Sequence, residues 1–302
     1  MENNLLIVSY ANKHTRNFYN YKHSLRKYGY KYKILGKGEK WKGFNSKISA
    51  YYNYLKHFKY NKNLLICITD CYDVLACNKP NKLIEKYLKN YNNKILFGCE
   101  ANCLERNCLY LSKLWKKKNG DSSLPPNRYL NSGFILGKLS MILDLLKFTM
   151  DQFTINGIDD DQLAMCQYAQ KYPENVVLDI KSSIIATIHY DLFNYQINSL
   201  KSYNNVKNIV FNTFPSFLHT PGMTSDLSYR LDYIGRKLFG DKYREETKLK
   251  RIEGFINNVS GNKVHKLYFI IAMLLLFILF YFIPIAWFFL IILIVILILF
   301  FL

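Results

Sequence analysis

Leu64-Leu-Ile-Cys-Ile-Thr-Asp70-Cys-Tyr-Asp73-Val74 is an apolar strand that runs directly into two acids, three residues apart. A continuous apolar run of this length is typical of a strand in a parallel sheet that is covered on both faces. Open α/β sheets bind ligands in the crevice outside the carboxyl ends of their strands. Asp70 and Asp73 therefore stand where two carboxylates could hold a divalent metal ion and, through it, a diphosphate.

The rest of the chain alternates between strand-like and helix-like segments. This alternation predicts one α/β domain over residues 1–240, with a mainly parallel sheet and helices on both of its faces. Predicted strands cover residues 5–10, 32–35, 64–69, 95–99, 134–136, 176–178 and 217–219, and predicted helices cover residues 14–28, 44–58, 80–89, 139–153, 159–170 and 226–238.

The C-terminal part has a different composition. Residues 241–266 form a basic linker, and residues 267–302 contain no charged residue and one proline, Pro284. A single membrane span needs about 20 apolar residues, so this run is longer than one helix requires. We expect a transmembrane segment that acts as a membrane anchor, either as one long tilted helix or as a hairpin broken at Pro284.

The N-terminus lacks the pattern of a secretory signal, because no basic region precedes the short apolar run at residues 5–10. Basic residues precede the apolar C-terminal run, and positive charge marks the cytoplasmic side of a membrane. We therefore expect a C-terminally anchored protein whose main domain faces the cytosol. These basic residues are Lys248, Lys250, Arg251, Lys263 and Lys266.

The net charge of +19 comes from 41 Lys and Arg against 22 Asp and Glu. Anionic membrane lipid is the partner that this charge favours, given the predicted anchor. Nucleic acid is the other class of anionic partner, but the chain has no helix-turn-helix, zinc-finger or RNP pattern, so no nucleic acid is expected. The seven cysteines contain no Cys-x-x-Cys pair, which does not indicate a zinc site.

Asp70, Asp73 and His219 are the candidate metal ligands. Carboxylate oxygens favour a hard cation such as Mn²⁺ or Mg²⁺, and an imidazole can join them. Pro221 and Gly222 follow His219 and predict a turn whose backbone could approach a phosphate. The alternative is structural: acids after a strand often only cap the next turn, and a single histidine is often part of a core.

Two further polar clusters have alternative interpretations. Asn131, Ser132 and Gly133 suit a turn, or a loop that offers amide and hydroxyl groups to a sugar. The acids at residues 159–161 suit the N-terminus of a helix. Three consecutive acids also repel one another, which favours a cluster that binds a hydroxylated ligand or acts as a base.

Several short motifs occur in a recognisable order along the chain. They are Ser9-Tyr-Ala-Asn12, Leu35-Gly-Lys-Gly-Glu-Lys-Trp41, Lys47, Thr69-Asp-Cys-Tyr-Asp-Val-Leu75, Phe97-Gly-Cys-Glu100, Leu130-Asn-Ser-Gly-Phe-Ile-Leu-Gly137, Asp159-Asp-Asp-Gln162, Leu178-Asp179 and His219-Thr-Pro-Gly222. Over about residues 4–240 this set resembles the glycosyltransferase domain of the multifunctional procollagen lysyl hydroxylases. The resemblance implies a GT-A-type, Rossmann-like fold that uses Mn²⁺ and a UDP-sugar donor.

The same resemblance implies roles at the donor site. Asp70, Asp73 and His219 would bind Mn²⁺, and Lys47 would lie near the nucleotide. The residues implied for the uridine pocket are Tyr10, Ala11, Asn12, Cys71 and Tyr72. The residues implied for the diphosphate are Gly222, Met223, Thr224 and Ser225.

The resemblance also implies roles on the acceptor side. The residues that would face the sugar and the acceptor are Glu100, Asn131, Ser132 and Asp159. In an inverting enzyme Asp160 or Asp161 could take the acceptor proton. For a retaining enzyme no clean nucleophile is visible, so the sequence leaves the stereochemistry open.

The chain departs from the family pattern at several points. Residues 44–46 replace a glycine-rich stretch, and Ser225 stands where the family typically has a lysine. The hydroxylase domains have no counterpart in the sequence, so the acceptor is a protein or glycan hydroxyl, with hydroxylysine and glycosylated hydroxylysine only as candidates. The sequence therefore predicts a hexosyltransferase. The alternatives are a catalytically silent sugar- or nucleotide-binding module tethered to a membrane, and a basic membrane-associated nucleic-acid binder.

Overall fold

A computed structural model describes residues 4–240, except for residues 62, 102–126, 190, 199–204 and 223–224, together with residues 292 and 295. The chain divides into one unit over Met1–Lys248 and another over Leu249–Leu302, and the elements below belong to the first. Apart from residues 292 and 295, the predicted linker and anchor lie outside the described residues. In the part of the chain that is described, no helix combines the length and the apolar character that crossing a membrane requires.

Strands and helices alternate along the first unit. The strands are β1 (Leu5–Tyr10), β2 (Tyr32–Leu35), β3 (Leu65–Thr69), β4 (Val74–Ala76), β5 (Ile95–Glu100), β6 (Tyr129–Lys138), β7 (Val176–Leu178), β8 (Ile185–Thr187), β9 (Tyr195–Ile197), β10 (Val206–Asn208) and β11 (Phe217–His219). The helices are α1 (Arg16–Tyr28), α2 (Phe44–Leu55), α3 (Pro80–Asn90), α4 (Leu139–Ile155), α5 (Asp161–Lys171) and α6 (Ser225–Phe239).

The central sheet has six strands in the order β2-β1-β3-β6-β5-β7. Neighbouring strands pair in parallel, except that β6 runs antiparallel to both β3 and β5. The prediction of a mixed, mainly parallel α/β sheet is therefore confirmed. The sequence predicted only residues 134–136 for β6, because Asn131 and Ser132 suit a turn, whereas the strand spans ten residues.

Helices cover both faces of the central sheet, as predicted. The alternating side chains of β1 show this directly, since Leu5 and Ile7 pack in one apolar core and Val8 and Tyr10 in another. The first core includes residues of α1 and α3, and the second includes residues of α2, α4 and α5. Burial on both faces explains why the strands read as continuous apolar runs.

A second sheet of three short strands, β4-β11-β8, positions the residues near the end of β3. β11 pairs antiparallel with β4, and His219 lies opposite Val74. The N–H of Thr220 donates to the carbonyl of Asp73 at 2.9 Å, which extends this pairing by one step. The sequence analysis did not predict β4 or β8, which are strands through their pairing with β11. The remaining strands, β9 and β10, form an antiparallel hairpin.

A buried hydroxyl cluster connects α1 to the central sheet. The hydroxyl of Tyr21 lies 2.5 Å from both Ser9 Oγ on β1 and Thr69 Oγ1 on β3. Ser9 and Thr69 also hydrogen-bond to each other at 3.0 Å. Because all three side chains are buried, each hydroxyl depends on the other two for its hydrogen bonds. The cluster fixes α1 against the two strands whose ends precede the candidate site.

The substitution Tyr21→Phe should lower the free energy of unfolding by about 1 kcal/mol, because one buried hydrogen-bond partner is lost while Ser9 and Thr69 still pair. Urea unfolding followed by circular dichroism measures the change. Tyr32→Phe is the matched control, since the Tyr32 hydroxyl makes only a solvent-exposed hydrogen bond with Arg26. Equal stability of the two variants would contradict a structural role for the cluster.

Candidate functional site

Asp70, Asp73 and His219 come together at the carboxyl end of β3. Each residue offers one ligand atom, and these atoms all lie within 4.8 Å of one another. His219 Nε2 is 3.3 Å from Asp73 Oδ2. Asp73 Oδ1 and His219 Nδ1 are buried and have no hydrogen-bond partner among the described residues. Because buried polar atoms are normally hydrogen-bonded, an unpartnered carboxylate oxygen and imidazole nitrogen beside a second carboxylate, that of Asp70, fit a divalent metal ion.

The electrostatic environment of His219 depends on the two acids beside it. Burial lowers the pKa of His219, but the nearby negative charge of Asp73, with further contributions from Asp70 and Glu100, raises the pKa above its ordinary value of 6.5. The protonated imidazole is thus favoured while no cation lies between the acids. A metal ion needs the neutral imidazole, so proton and metal compete for this residue.

Metal affinity should therefore increase with pH. The raised pKa of His219 means that its proton competes with metal up to a pH above 6.5. Below that pKa, the apparent Kd for Mn²⁺ should fall about tenfold per pH unit, and it should level off above it. Calorimetric titration of the full chain at several pH values measures this. In the control variant His57→Gln the metal affinity should still increase with pH, and in His219→Gln it should not. A metal affinity that is independent of pH in the wild type would contradict the prediction.

Gly133 on β6 leaves the space that His219 occupies. A Cβ atom built on Gly133 would lie 2.3 Å from His219 Cε1 and 2.8 Å from Nε2, which is closer than real Cβ contacts. The carbonyl of Gly133 accepts a hydrogen bond from the N–H of Asp70 at 2.9 Å. Gly133 thus both holds Asp70, the first candidate metal ligand, and leaves room for His219, the third. This explains why a glycine stands within a long buried strand, where it is normally unfavourable.

Gly133→Ala should weaken Mn²⁺ binding by at least about tenfold, because the added methyl group displaces the imidazole from its position beside Asp73. Calorimetry or electron paramagnetic resonance of bound Mn²⁺ measures the change. Gly98→Ala is a matched control on the neighbouring strand, since its nearest contact would be an ordinary 3.6 Å. Wild-type metal affinity in Gly133→Ala would show that His219 is not a ligand.

Lys47 on α2 connects Asp70, a candidate metal ligand, to the second acidic cluster. Its ammonium lies 2.7 Å from Asp161 Oδ2 and 3.3 Å from Asp70 Oδ1, and the side chain is only 10% exposed. Burial alone would lower the pKa of Lys47, but the charges of Asp161 and Asp70 raise it well above its ordinary value. A protonated lysine is therefore fixed between Asp70 and Asp161, which are 91 residues apart in sequence.

The three consecutive acids have three different environments. Asp160 is the N-cap of α5 and accepts a hydrogen bond from the N–H of Leu163 at 2.9 Å. Asp161 is buried against Lys47, and Asp159 is exposed. Helix capping thus accounts for Asp160. It does not account for Asp161, whose carboxylate pairs with Lys47, which in turn pairs with Asp70 of the candidate metal site.

A cleft of about 630 Å³ adjoins the candidate metal ligands Asp70 and Asp73. The residues that line it are Tyr10, Asn12, Lys13, Thr15, Asn17, Trp41, Phe44, Lys47, Asp70, Cys71, Tyr72, Asp73, Thr220 and Gly222. Most of the residues that the sequence assigned to a nucleotide are in this set. Ala11 is buried instead, Ser225 begins α6, and Met223 and Thr224 lie outside the described residues.

Trp41 and Phe44 form an exposed aromatic pair beside the cleft that the sequence analysis did not assign. They are 42% and 38% exposed, and their ring centroids are 5.6 Å apart with nearly perpendicular planes. Trp41 also packs near Tyr10, at 5.9 Å between centroids. Exposed aromatic rings beside a cleft suit the face of a planar base. The sequence feature that could have indicated this pair is the presence of two aromatic residues, one on each side of Lys42 and Gly43.

Glu100 is the centre of a buried polar network. It accepts hydrogen bonds from Asn131 Nδ2 and Gln162 Nε2, each at 3.0 Å, and lies 3.3 Å from His189 Nε2. Burial raises the pKa of Glu100, but the hydrogen bonds of these three partners lower it by a larger amount. The pKa of Glu100 therefore lies below its ordinary value. Gln162 also accepts a hydrogen bond from the N–H of Ser132 at 3.1 Å.

This network brings together three of the residues predicted to face sugar and acceptor, Glu100, Asn131 and Ser132. They are not among the residues that line the cleft described above. The sequence analysis missed Gln162 and His189 as members. Gln162 directly follows the acid cluster and could have been found there, but nothing in the sequence around His189 relates it to Glu100.

Comparison with known proteins gives a consistent family. A family model described as "PLOD GT domain" matches residues 1–244. Procollagen-lysine,2-oxoglutarate 5-dioxygenase 2 of Mus musculus is 27% identical over 250 residues, which are 76% of this chain and 31% of that protein. Multifunctional procollagen lysine hydroxylase and glycosyltransferase LH3 of Homo sapiens is 23% identical over the same shares of both chains. The chain thus matches about a third of the length of these relatives.

One solved structure completes the comparison. It is a glycosyltransferase involved in the glycosylation of the major capsid of PBCV-1, with a TM-score of 0.49 and 12% sequence identity. The match covers 76% of this chain and 98% of the other.

Proposed function

We propose that this chain, which belongs to the family of PLOD GT domains, is a metal-dependent glycosyltransferase that moves a hexose from a UDP-sugar to a hydroxyl group. The observation that carries the proposal is the cluster of Asp70, Asp73 and His219, whose ligand atoms lie within 4.8 Å of one another. Asp70 and Asp73 also line the adjoining cleft, so a bound metal ion and a bound nucleotide would share one site.

The cleft offers suitable groups for each part of the donor. Tyr10, Asn12 and Tyr72 would contact the uridine, with the exposed rings of Trp41 and Phe44 beside it. Thr220 and Gly222 line the part of the cleft next to the metal-binding residues, where the diphosphate would lie. A divalent ion, Mn²⁺ or Mg²⁺, would stabilise the charge that develops on the departing UDP, which is a large term in this type of catalysis.

The acceptor proton needs a carboxylate near the site, and we assign it to Asp160 or Asp161. Asp161 lies beside Lys47, which holds it near Asp70. Asp160 uses one oxygen, Oδ1, as the helix cap. The Glu100 network, with Asn131 and Ser132, would orient hydroxyl groups of the sugar or acceptor. Hydroxylysine and glycosylated hydroxylysine are candidate acceptors, because the relatives of this chain suggest them.

We also propose that residues 267–302 anchor the domain to a membrane, with the domain on the cytosolic side. The support is the apolar run itself, which exceeds the length of one span, and the basic residues before it. Protease protection of tagged full-length chain in sealed vesicles tests the orientation, because a cytosolic domain remains accessible from outside.

Asp73→Asn should reduce UDP release on the order of 100-fold, because the substitution removes a metal ligand and with it the stabilisation of the leaving group. The assay uses the full chain with Mn²⁺, a panel of UDP-sugars and hydroxyl acceptors. Asp151→Asn is the matched control, since Asp151 is exposed on α4 and does not line the cleft. It should release UDP at the wild-type rate.

The outcomes separate the competing functions. Release with one sugar that is abolished by chelator and by Asp73→Asn supports the transferase and identifies its donor. Binding of UDP and Mn²⁺ without turnover on any acceptor would instead support the silent binding module. No binding of UDP would rule out the proposed function.

A further inference from the structure

The charges around the cleft leave one cation without an acidic partner. Four of the residues that line the cleft carry a charge, namely Asp70, Asp73, Lys47 and Lys13. A divalent ion would offset the two carboxylates, and Lys47 is already paired with Asp161 at 2.7 Å. The described residues give Lys13 no acidic partner. Among the charged residues that the structure describes around the cleft, Lys13 is thus the one available to pair with the negative charge of a nucleotide diphosphate.

Lys13 is fixed in place by the loop that carries the metal-binding acids. The N–H of Lys13 donates to the hydroxyl of Tyr72 at 3.0 Å, and that hydroxyl donates to the carbonyl of Lys13 at 3.1 Å. Tyr72 lies between Asp70 and Asp73 in sequence, so one hydroxyl ties the backbone of Lys13 to the metal-binding loop. The side chain of Lys13 is exposed and lines the cleft.

The adjoining helix supports the same conclusion. Thr15, the N-cap of α1, and Asn17 in its first turn line the cleft as well. No acidic residue occupies the first turn of this 13-residue helix, so its positive end is not neutralised by its own side chains. Anions are stabilised near such an end. Helix and lysine therefore act in the same direction on an anion in the cleft.

We propose that Lys13 binds the diphosphate of the nucleotide donor and supplies the positive charge that the metal ion alone does not. This inference rests on the proposed function. It gives Lys13 a role in holding phosphate, distinct from the neighbouring residues Tyr10 and Asn12, which would hold the nucleoside. Lys13 affects affinity for charged donors and leaves recognition of the base unchanged.

The test compares UDP with uridine in calorimetric titrations of the full chain containing Mn²⁺. Lys13→Gln should weaken UDP binding by about tenfold or more, because a charge-assisted hydrogen bond to phosphate is lost. Uridine carries no phosphate, so its Kd should stay within about twofold of the wild-type value. Lys13→Arg should retain most of the UDP affinity. Lys82→Gln removes a lysine on α3 that is 44% exposed, and it should change neither Kd.

Each outcome has one meaning. Wild-type protein that does not bind UDP overturns the proposed function itself. Wild-type protein that binds UDP together with an unchanged Kd for Lys13→Gln overturns only the role of Lys13. A loss of uridine affinity as large as the loss of UDP affinity also overturns this role, because it would mean that Lys13 shapes the nucleoside pocket.

Discussion

The antiparallel pairing of β4 with β11 is the constraint on which the candidate site depends. It places His219 opposite Val74 and lets the N–H of Thr220 donate to the carbonyl of Asp73 at 2.9 Å. Residues that are nearly 150 positions apart in sequence are thereby brought together at the candidate metal site. Because backbone hydrogen bonds fix strand register, the distance between Asp73 and His219 does not depend on flexible side chains alone. Gly133 completes the arrangement by leaving room for the imidazole.

The electrostatics of the site follow from this geometry. Several acids converge at the partly buried end of β3, and their mutual repulsion must be offset. Lys47 offsets part of it through Asp161 and Asp70, and a proton on His219 would offset another part through Asp73. A divalent ion would replace the proton in this role. The same charges would favour a bound cation and, through that cation, a phosphate.

The sequence predicted the elements that its own pattern determines. β3 has the predicted apolar run with acids at its carboxyl end, and α3 begins at Pro80 as predicted. β4, β8 and most of β6 were missed for two physical reasons. β4 and β8 are strands through their pairing with β11, which lies far away in sequence, and the polar residues that open β6 suit a turn unless neighbouring strands cover them. Only pairing with β3 and β5 makes that segment a strand.

For the site, the sequence by itself determined which residue types could bind metal and where strands end, because these depend on local pattern. It indicated Asp70, Asp73 and His219 and, through family resemblance, most of the cleft. Only the tertiary structure decided that Lys47 lies between Asp70 and Asp161, and that His189 lies beside Glu100. Only the tertiary structure showed that Asp160 caps a helix whereas Asp161 pairs with Lys47. The physical reason is that such contacts join side chains on different elements, and their distances are set by packing across the whole domain.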